Sequence, residues 1–179
     1  MRIELVMPAI WLCLALTAWG QGTRPPSFKD YPAAKLYSNV ATPPQLGSPK
    51  QYSGADLRCF GGDNAAYANR PVNFAGQFVI AACTCGTGCH YLFMWDARTG
   101  KLYRDLPPGA INIGPYGVGE LAQPIEYQGE QYRSDSTLLV IEGCIEGTCD
   151  CATRYYIWGG DRFTLIMSKI SRMPPRCEK

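Results

Sequence analysis

Two stretches of the chain share one order of apolar runs, cysteines and turns. Residues 77–103 and residues 137–166 each contain an apolar run that ends at a cysteine, a short loop with Gly and Thr, and a second apolar run that ends at a tryptophan, Trp95 or Trp158. The offset between matching residues drifts by only one or two positions. Such self-similarity indicates a supersecondary unit that is used twice. Each unit predicts strand, loop, strand, tight turn and strand, which is a three-stranded meander.

The apolar runs before the cysteine loops are almost uninterrupted. This pattern is typical of strands that are covered on both faces, and no segment shows the 3.6-residue period of a helix. Residues 96–100 fit a type I turn that closes with a glycine in the left-handed region. We expect a mainly β fold, in which antiparallel meanders from two related three-stranded units pack as a sandwich or small barrel stapled by disulfides.

The first 20 residues have the pattern of a secretory signal peptide. Arg2 precedes an apolar run from Leu5 to Trp19, and the small residues Ala18 and Gly20 stand where a signal peptidase cleaves. The run of about fifteen residues is shorter than the roughly 20 that a membrane-spanning helix needs. We expect cleavage after Gly20 and a periplasmic or secreted protein with no membrane span after cleavage.

The mature chain divides into an arm and a body. Residues 21–56 form a Pro-rich N-terminal arm, and residues 57–179 form the β domain with the near-repeat. Prolines interrupt helices and sheets, and a Pro-rich chain is itself stiff and extended. We expect the arm to wrap around the domain or to project from it.

Because the chain is expected to be exported, its cysteines are interpreted as disulfide partners. Cys13 lies in the signal, so eight cysteines remain in the mature chain. An even number in an exported protein indicates a disulfide framework, although eight cysteines allow 105 connectivities. One symmetric choice clamps each loop and joins the remaining cysteines: Cys83 to Cys89, Cys144 to Cys151, Cys85 to Cys149 and Cys59 to Cys177.

Charge and histidine content exclude several functions. The chain holds 17 Lys and Arg residues against 15 Asp and Glu residues, a net charge of +2 that argues against a nucleic-acid partner. Its one histidine, His90, excludes a site built from several imidazoles. The sequence contains no GxSxG, HExxH or P-loop motif. We predict no catalytic residues, no metal site and no cofactor, and a non-enzymatic protein is favoured.

The two cysteine loops are the candidate binding site. A Gly-rich loop clamped by a disulfide stays rigid while exposed, which lowers the entropy cost of inserting it into a partner. In the competing interpretation the disulfides only stabilise the fold and His90 is a half-buried core residue. The acidic side chains of the second loop are then simply exposed to solvent. The candidate binding residues are Cys85, Gly86, Thr87, Gly88, Cys89 and His90 in the first loop and Glu146 and Asp150 in the second.

Four motifs occur in a distinctive order between residues 57 and 170. They are Asn-Phe-Ala-Gly at 73–76, Cys-Gly-Thr-Gly-Cys at 85–89, Asp-x-x-Thr-Gly at 96–100 and Arg-Tyr-Tyr-x-Trp at 154–158. In this order the chain resembles a type of small exported bacterial protein. The resemblance implies a related fold and export, and it implies no reaction.

These features lead to one preferred function and two alternatives. We expect an exported binding protein, such as an inhibitor or an immunity protein. Its clamped loops would occlude a cell-wall-active enzyme, and the protein partner would be a lytic enzyme or a toxin. The first alternative is a thiol redox or soft-metal-handling protein that uses two CxC pairs, Cys83 with Cys85 and Cys149 with Cys151. The second is a structural envelope protein.

Overall fold

The computed structural model of the chain describes most of the predicted β domain and part of the arm. The described residues are 24–45, 69–86, 89–104, 106–109, 111–112, 130–145, 148 and 150–170, with the backbone alone for 84–86 and 111–112. The predicted signal peptide, residues 1–20, lies outside them.

Antiparallel strands make up the described part of the body. In chain order they are β1 (Phe78–Gly86), β2 (Cys89–Asp96), β3 (Leu102–Tyr103), β4 (Ile111–Asn112), β5 (Glu130–Tyr132), β6 (Leu138–Ile145), β7 (Cys151–Trp158) and β8 (Phe163–Ile170). A 3-10 turn at Phe28–Asp30 lies in the arm. The strands β1–β3 and β6–β8 are two meanders, which confirms the predicted mainly β class.

The strands form two sheets that share one junction. One sheet holds β1, β2 and β3, and the other holds β5, β6, β7 and β8, in which β5 pairs with β6. The two-residue strand β4 pairs with β2 on one side and with β6 on the other. The ladder of hydrogen bonds is therefore continuous from one sheet to the other.

One apolar cluster lies between the two sheets and makes the packing sandwich-like. Alternate residues of β1 and β2 point to it, and so do alternate residues of β6 and β7, because side chains alternate across a strand. We call the faces that meet there the inner faces. The strand residues of the cluster are Phe78, Ile80, Leu92 and Met94 from the first sheet and Leu139, Ile141, Tyr156 and Trp158 from the second.

The described part of the arm packs on the outer faces of both sheets. Phe28 and Tyr31 cover the outer face of the four-stranded sheet, and Ala41 packs on that of the three-stranded sheet. The indole Nε1 of Trp95 donates a hydrogen bond to the carbonyl oxygen of Thr42 at 3.1 Å. The arm thus explains why the strands are apolar on both faces: each face has something to pack against.

The predicted turn between β2 and β3 forms and also receives the arm. The N–H of Gly100 donates to the carbonyl oxygen of Asp96 at 2.8 Å, and the φ angle of Gly100 is 72°. A side chain at position 100 would collide with the carbonyl oxygen of Pro43. Glycine is therefore required here both by its backbone angle and by the close approach of the arm.

Within the described residues, none of the helical structure has the length and hydrophobicity that crossing a bilayer requires.

Candidate functional site

A row of paired residues crosses five strands at one end of the sandwich. Gly86 of β1 lies opposite Cys89 of β2, Asn112 of β4 pairs with both Cys89 and Cys144, and Cys144 pairs with Cys151 of β7. The strand β4 therefore lies between the bases of the two cysteine loops, at Cys89 and at Cys144. We call this end of the sandwich the Cys-loop end.

A disulfide closes the second of the two loops at its base. Cys144 and Cys151 are bonded to each other across the β6–β7 ladder, seven positions apart in sequence, as predicted. Cys83 and Cys89 are disulfide-bonded as well. In the ladder Cys83 lies opposite Tyr91, two positions from Cys89. The pairing of Cys83 with Cys89 stays a prediction.

The first loop is shorter than the sequence suggested. Its cysteines bracket five residues, yet β1 continues through Cys85 to Gly86 and β2 begins at Cys89, so residues 87–88 alone connect the strands. A register shift between Thr84 and Gly86 accommodates the tightening. Glycine and cysteine read as loop residues in the sequence, but the pairing of β1 with β2 extends the strands into them.

Arg154 is a buried charged residue at the Cys-loop end that the sequence did not single out as part of the candidate site. It lies in β7 on the inner face, opposite Ile141, and is 4% exposed. Its Nη1 donates to the carbonyl oxygen of Gly143 at 3.3 Å, its Nη2 donates to the carbonyl oxygen of Asp150 at 3.0 Å, and the guanidinium contacts the Asp150 carboxylate at 2.6 Å. These contacts satisfy a charge that would be costly to bury alone. The sequence does contain one sign of this buried role, which is a charged residue within an otherwise mostly apolar strand.

Asp150, a predicted binding residue, is joined to the core through Arg154. Its carboxylate is open to solvent while its backbone carbonyl accepts from the buried guanidinium. The backbone N–H of Asp150 also donates to the hydroxyl of Thr148 at 3.1 Å, and that hydroxyl donates to the carbonyl oxygen of Ile145 at 2.9 Å. The described part of the second loop is therefore held by the disulfide, by a threonine and by a buried arginine.

His90 lies on the inner face of β2 and is half-buried. Its Nδ1 is 3.2 Å from Oε1 of Glu130 in β5. Because β2 and β5 belong to different sheets, this contact joins the two sheets across the interior. An ionised carboxylate accepts hydrogen bonds and donates none, so Nδ1 is the donor when Glu130 is charged. Through this contact His90 links the first cysteine loop's strand to β5 in the interior. Glu130 is a second residue that the sequence did not single out.

Two tyrosines beside these charges have raised pKa values. Burial raises the pKa of Tyr132 above its ordinary value of 10.0, and the negative charge of Glu130 raises it further. Burial likewise raises the pKa of Tyr156, where the positive charge of Arg154 opposes the shift. Both hydroxyls are therefore protonated near neutral pH and act as uncharged groups on the inner faces.

The described residues at the Cys-loop end form neither a thiolate site nor a metal cluster. Cys83, Cys89, Cys144 and Cys151 are in disulfides, so none of the four offers a thiolate that His90 could activate. Among the residues with described placement, no three His, Cys, Asp or Glu side chains converge as metal ligands. In the described part of the second loop, this end has a braced base and the exposed carboxylate of Asp150.

The predicted site residues are located only in part. Cys89 is buried at the start of β2, His90 is half-buried and Asp150 is exposed. Cys85 and Gly86 belong to β1. The remaining predicted binding and disulfide residues, Thr87, Gly88, Glu146, Cys149, Cys59 and Cys177, lie outside the described residues.

Comparison of the chain with models of protein families, with curated proteins and with solved structures gives no match. The kinship that the ordered motifs imply therefore stays a prediction.

Proposed function

We propose that this chain is an exported, non-enzymatic binding protein that occludes a cell-wall-active enzyme with its Cys-loop end. The observation that carries the proposal is the junction at β4, because Asn112 pairs with Cys89 and with Cys144 and so brings the bases of both cysteine loops to one end of the sandwich. The end of the sandwich from which both loops leave is therefore the candidate contact region.

The bracing of the second loop supports this function. The described base of the loop, held by the Cys144–Cys151 disulfide and by the Arg154 contacts, has little conformational freedom left to lose on binding. Preorganisation of this kind raises affinity because less entropy is lost on association. An inhibitor or immunity protein that inserts such loops into a cleft needs no catalytic group of its own.

Inhibition of peptidoglycan hydrolases tests the proposal. The mature, oxidised protein is added to a muramidase, an amidase and an endopeptidase, each acting on purified cell walls, and the fall in turbidity is followed. We expect one of the three classes to lose most of its activity at a small molar excess of the protein. Unchanged activity in all three classes would overturn the assignment to cell-wall enzymes.

Two charge-reversal variants test whether the contact region lies at the Cys-loop end. Glu146→Lys changes the second cysteine loop, and Asp161→Lys makes the same change at the β7–β8 turn, at the opposite end of the sandwich. We expect Glu146→Lys to raise the inhibition constant at least tenfold and Asp161→Lys to leave it unchanged, with equal melting temperatures. Equal inhibition constants for the two variants would show that the Cys-loop end is not the contact region.

Thiol counting on the purified protein separates this function from redox or metal handling. In the proposed function the eight cysteines of the mature chain are oxidised, so a thiol reagent under denaturing, non-reducing conditions labels none. Two or more labelled cysteines would favour the alternative in which CxC pairs carry out thiol chemistry.

A further inference from the structure

A cavity opens at the end of the sandwich opposite to the Cys-loop end. It lies where the end of β7 and the start of β8 approach the segment after β3, and its volume is about 280 Å³. This volume is close to the lower limit of roughly 300 Å³ for small-molecule sites. At about 30 Å³ for each molecule of liquid water, the space equals about nine waters, so a ligand of about ten non-hydrogen atoms fits.

Three aromatic side chains line this cavity and hold one another in place. The ring centroid of Trp158 is 5.3 Å from that of Tyr103 and 4.9 Å from that of Phe163. On its other contacts Trp158 packs nearly perpendicular to the ring of Phe78, at 5.3 Å between centroids. These distances favour aromatic pairs. Because neighbouring rings fix these positions, the aromatic lining can receive a ring-shaped ligand without first ordering its own side chains.

The polar groups of the lining are mainly hydrogen-bond donors. Arg104 is half-buried, and Arg162 is exposed in the turn between β7 and β8. A guanidinium donates and does not accept, and the same is true of the indole N–H of Trp158. The carboxylate of Asp161 is also in the lining, so two positive charges stand against one negative charge in its described part. This balance favours an anionic ligand that is rich in acceptors.

The indole of Trp158 gives an independent sign that this lining is incomplete by itself. Trp158 is 7% exposed, and its Nε1 is buried and has no hydrogen-bond partner in the part of the chain that the structure describes. The indole of Trp95, by contrast, donates to the carbonyl oxygen of Thr42. A buried indole N–H usually has a partner, and a donor without one is costly to bury. A ligand that brings an acceptor to this side of the cavity reduces that cost.

We propose that this cavity binds a small organic anion that contains a ring. The ring packs against Tyr103, Trp158 and Phe163. The anionic group accepts hydrogen bonds from the guanidiniums of Arg104 and Arg162. Arginine suits this role because its planar fork of donors matches the oxygens of a carboxylate or of a phosphate. The site is separate from the Cys-loop end, so it does not depend on the inhibition of a cell-wall enzyme.

Nuclear magnetic resonance of the mature, oxidised and isotope-labelled protein tests the proposal. Trp95 and Trp158 are the two tryptophans that follow the predicted signal peptide, so the spectrum contains two indole N–H signals, and Trp95→Phe assigns them. Benzoate, phenyl phosphate and neutral benzamide are each added up to about 5 mM, which detects a dissociation constant of about 1 mM. We expect at least one anion to move the Trp158 signal in a saturable way, while the Trp95 signal stays in place and benzamide moves neither. The anion that binds more tightly identifies a carboxylate or a phosphate as the preferred group.

Two arginine variants test which charge holds the anion. Arg162→Gln keeps a polar side chain of similar length and removes the positive charge from the cavity. The matched control is Arg24→Gln, because Arg24 is an arm arginine outside the cavity whose side chain is 77% exposed. We expect Arg162→Gln to weaken binding of the anion by about tenfold or more, with equal melting temperatures for both variants. Arg24→Gln should bind the anion like the wild type.

Three results would contradict the proposal. A Trp158 signal that neither anion moves would show that the cavity is not an anion site. Equal binding of benzamide and benzoate would show that the negative charge is not recognised. Equal binding by Arg162→Gln and Arg24→Gln would place the anion elsewhere. None of these results bears on the inhibition of cell-wall enzymes, which is measured with a different part of the molecule.

Discussion

Arg154 and Asp150 form an ion pair in which one partner is buried and the other is open to water. The guanidinium is enclosed on the inner face of β7, whereas 62% of the Asp150 side chain is exposed, and the two meet at 2.6 Å. The pair therefore anchors a surface loop to the interior. Because solvent screens the exposed carboxylate, the backbone carbonyls of Gly143 and Asp150 matter more for Arg154 than the ion pair does.

This asymmetry predicts unequal costs for removing the two partners. Arg154→Ala leaves two backbone carbonyls without their donor and opens space in the interior, so we expect a loss of about 3 kcal/mol of unfolding free energy. Asp150→Ala keeps both carbonyl contacts and is expected to cost about 1 kcal/mol. Urea denaturation of the two variants measures both values. Equal losses would mean that the ion pair itself carries the stabilisation.

The Cys144–Cys151 disulfide is expected to stabilise the fold by a moderate amount. A bond between cysteines seven positions apart closes a short loop, for which the chain-entropy relation predicts about 2.5 kcal/mol. The double variant Cys144→Ala with Cys151→Ala should lose that amount while it keeps its far-ultraviolet circular dichroism. A double variant that is as stable as the wild type in urea would show that this disulfide does not stabilise the fold.

Asn73 is expected to protect the β1 edge through both of its side-chain hydrogen bonds. Asn73→Ala leaves the N–H and the carbonyl of Ile80 without partners, so we expect a loss of about 2 kcal/mol and faster exchange of the Ile80 amide hydrogen. Asn73→Asp keeps the acceptor for the Ile80 N–H and loses the donor. It should therefore retain most of the exchange protection, and protection as low as in the alanine variant would refute this assignment.

Stability is expected to fall at alkaline pH because of buried tyrosines. The pKa of Tyr156 and that of Tyr132 are raised above 10.0 in the folded protein, chiefly by burial. The folded state thus favours the protonated forms, and the stabilisation is complete below pH 10 and is lost as the pH rises through the unfolded and then the folded pKa. Unfolding free energies between about pH 8 and about pH 11.5 should decline less steeply for Tyr156→Phe than for the wild type.

The strands were largely predictable, and their ends were not. The apolar runs before Cys83 and before Cys144 became β1 and β6, because long β-branched and aromatic runs bury well in a sheet. The strand β1 nevertheless continues through Cys85, a residue that the sequence assigned to a loop. Residue type alone does not tell how far a neighbouring strand will extend the pairing.

The near-repeat was informative about strand order and misleading about faces. Trp95 and Trp158 occupy matching places in the two units, yet Trp95 packs on an outer face with the arm, and Trp158 packs in the inner cluster. The number of residues between matching positions of the two units changes by one or two along the repeat. A shift of one residue moves a side chain to the other face of a strand, so the two tryptophans face opposite sides. Two similar sequences therefore pack differently.

The buried contacts at the Cys-loop end were beyond the reach of the sequence. The partners His90 and Glu130 are 40 residues apart, and no local pattern relates them. The buried role of Arg154 depends on which neighbours meet its guanidinium in the folded chain.

By itself, the order of the residues determined the β class, the two meanders and the glycine turn after β2, because these depend on contacts between near neighbours or on local backbone preference. The three-dimensional arrangement alone decided that β4 joins the bases of the two cysteine loops, that the described part of the arm covers the outer faces, that a buried arginine braces the base of the second loop and that Trp158 packs inside while Trp95 packs outside. Those features depend on contacts between distant parts of the chain, and such contacts exist only once the sheets have packed together.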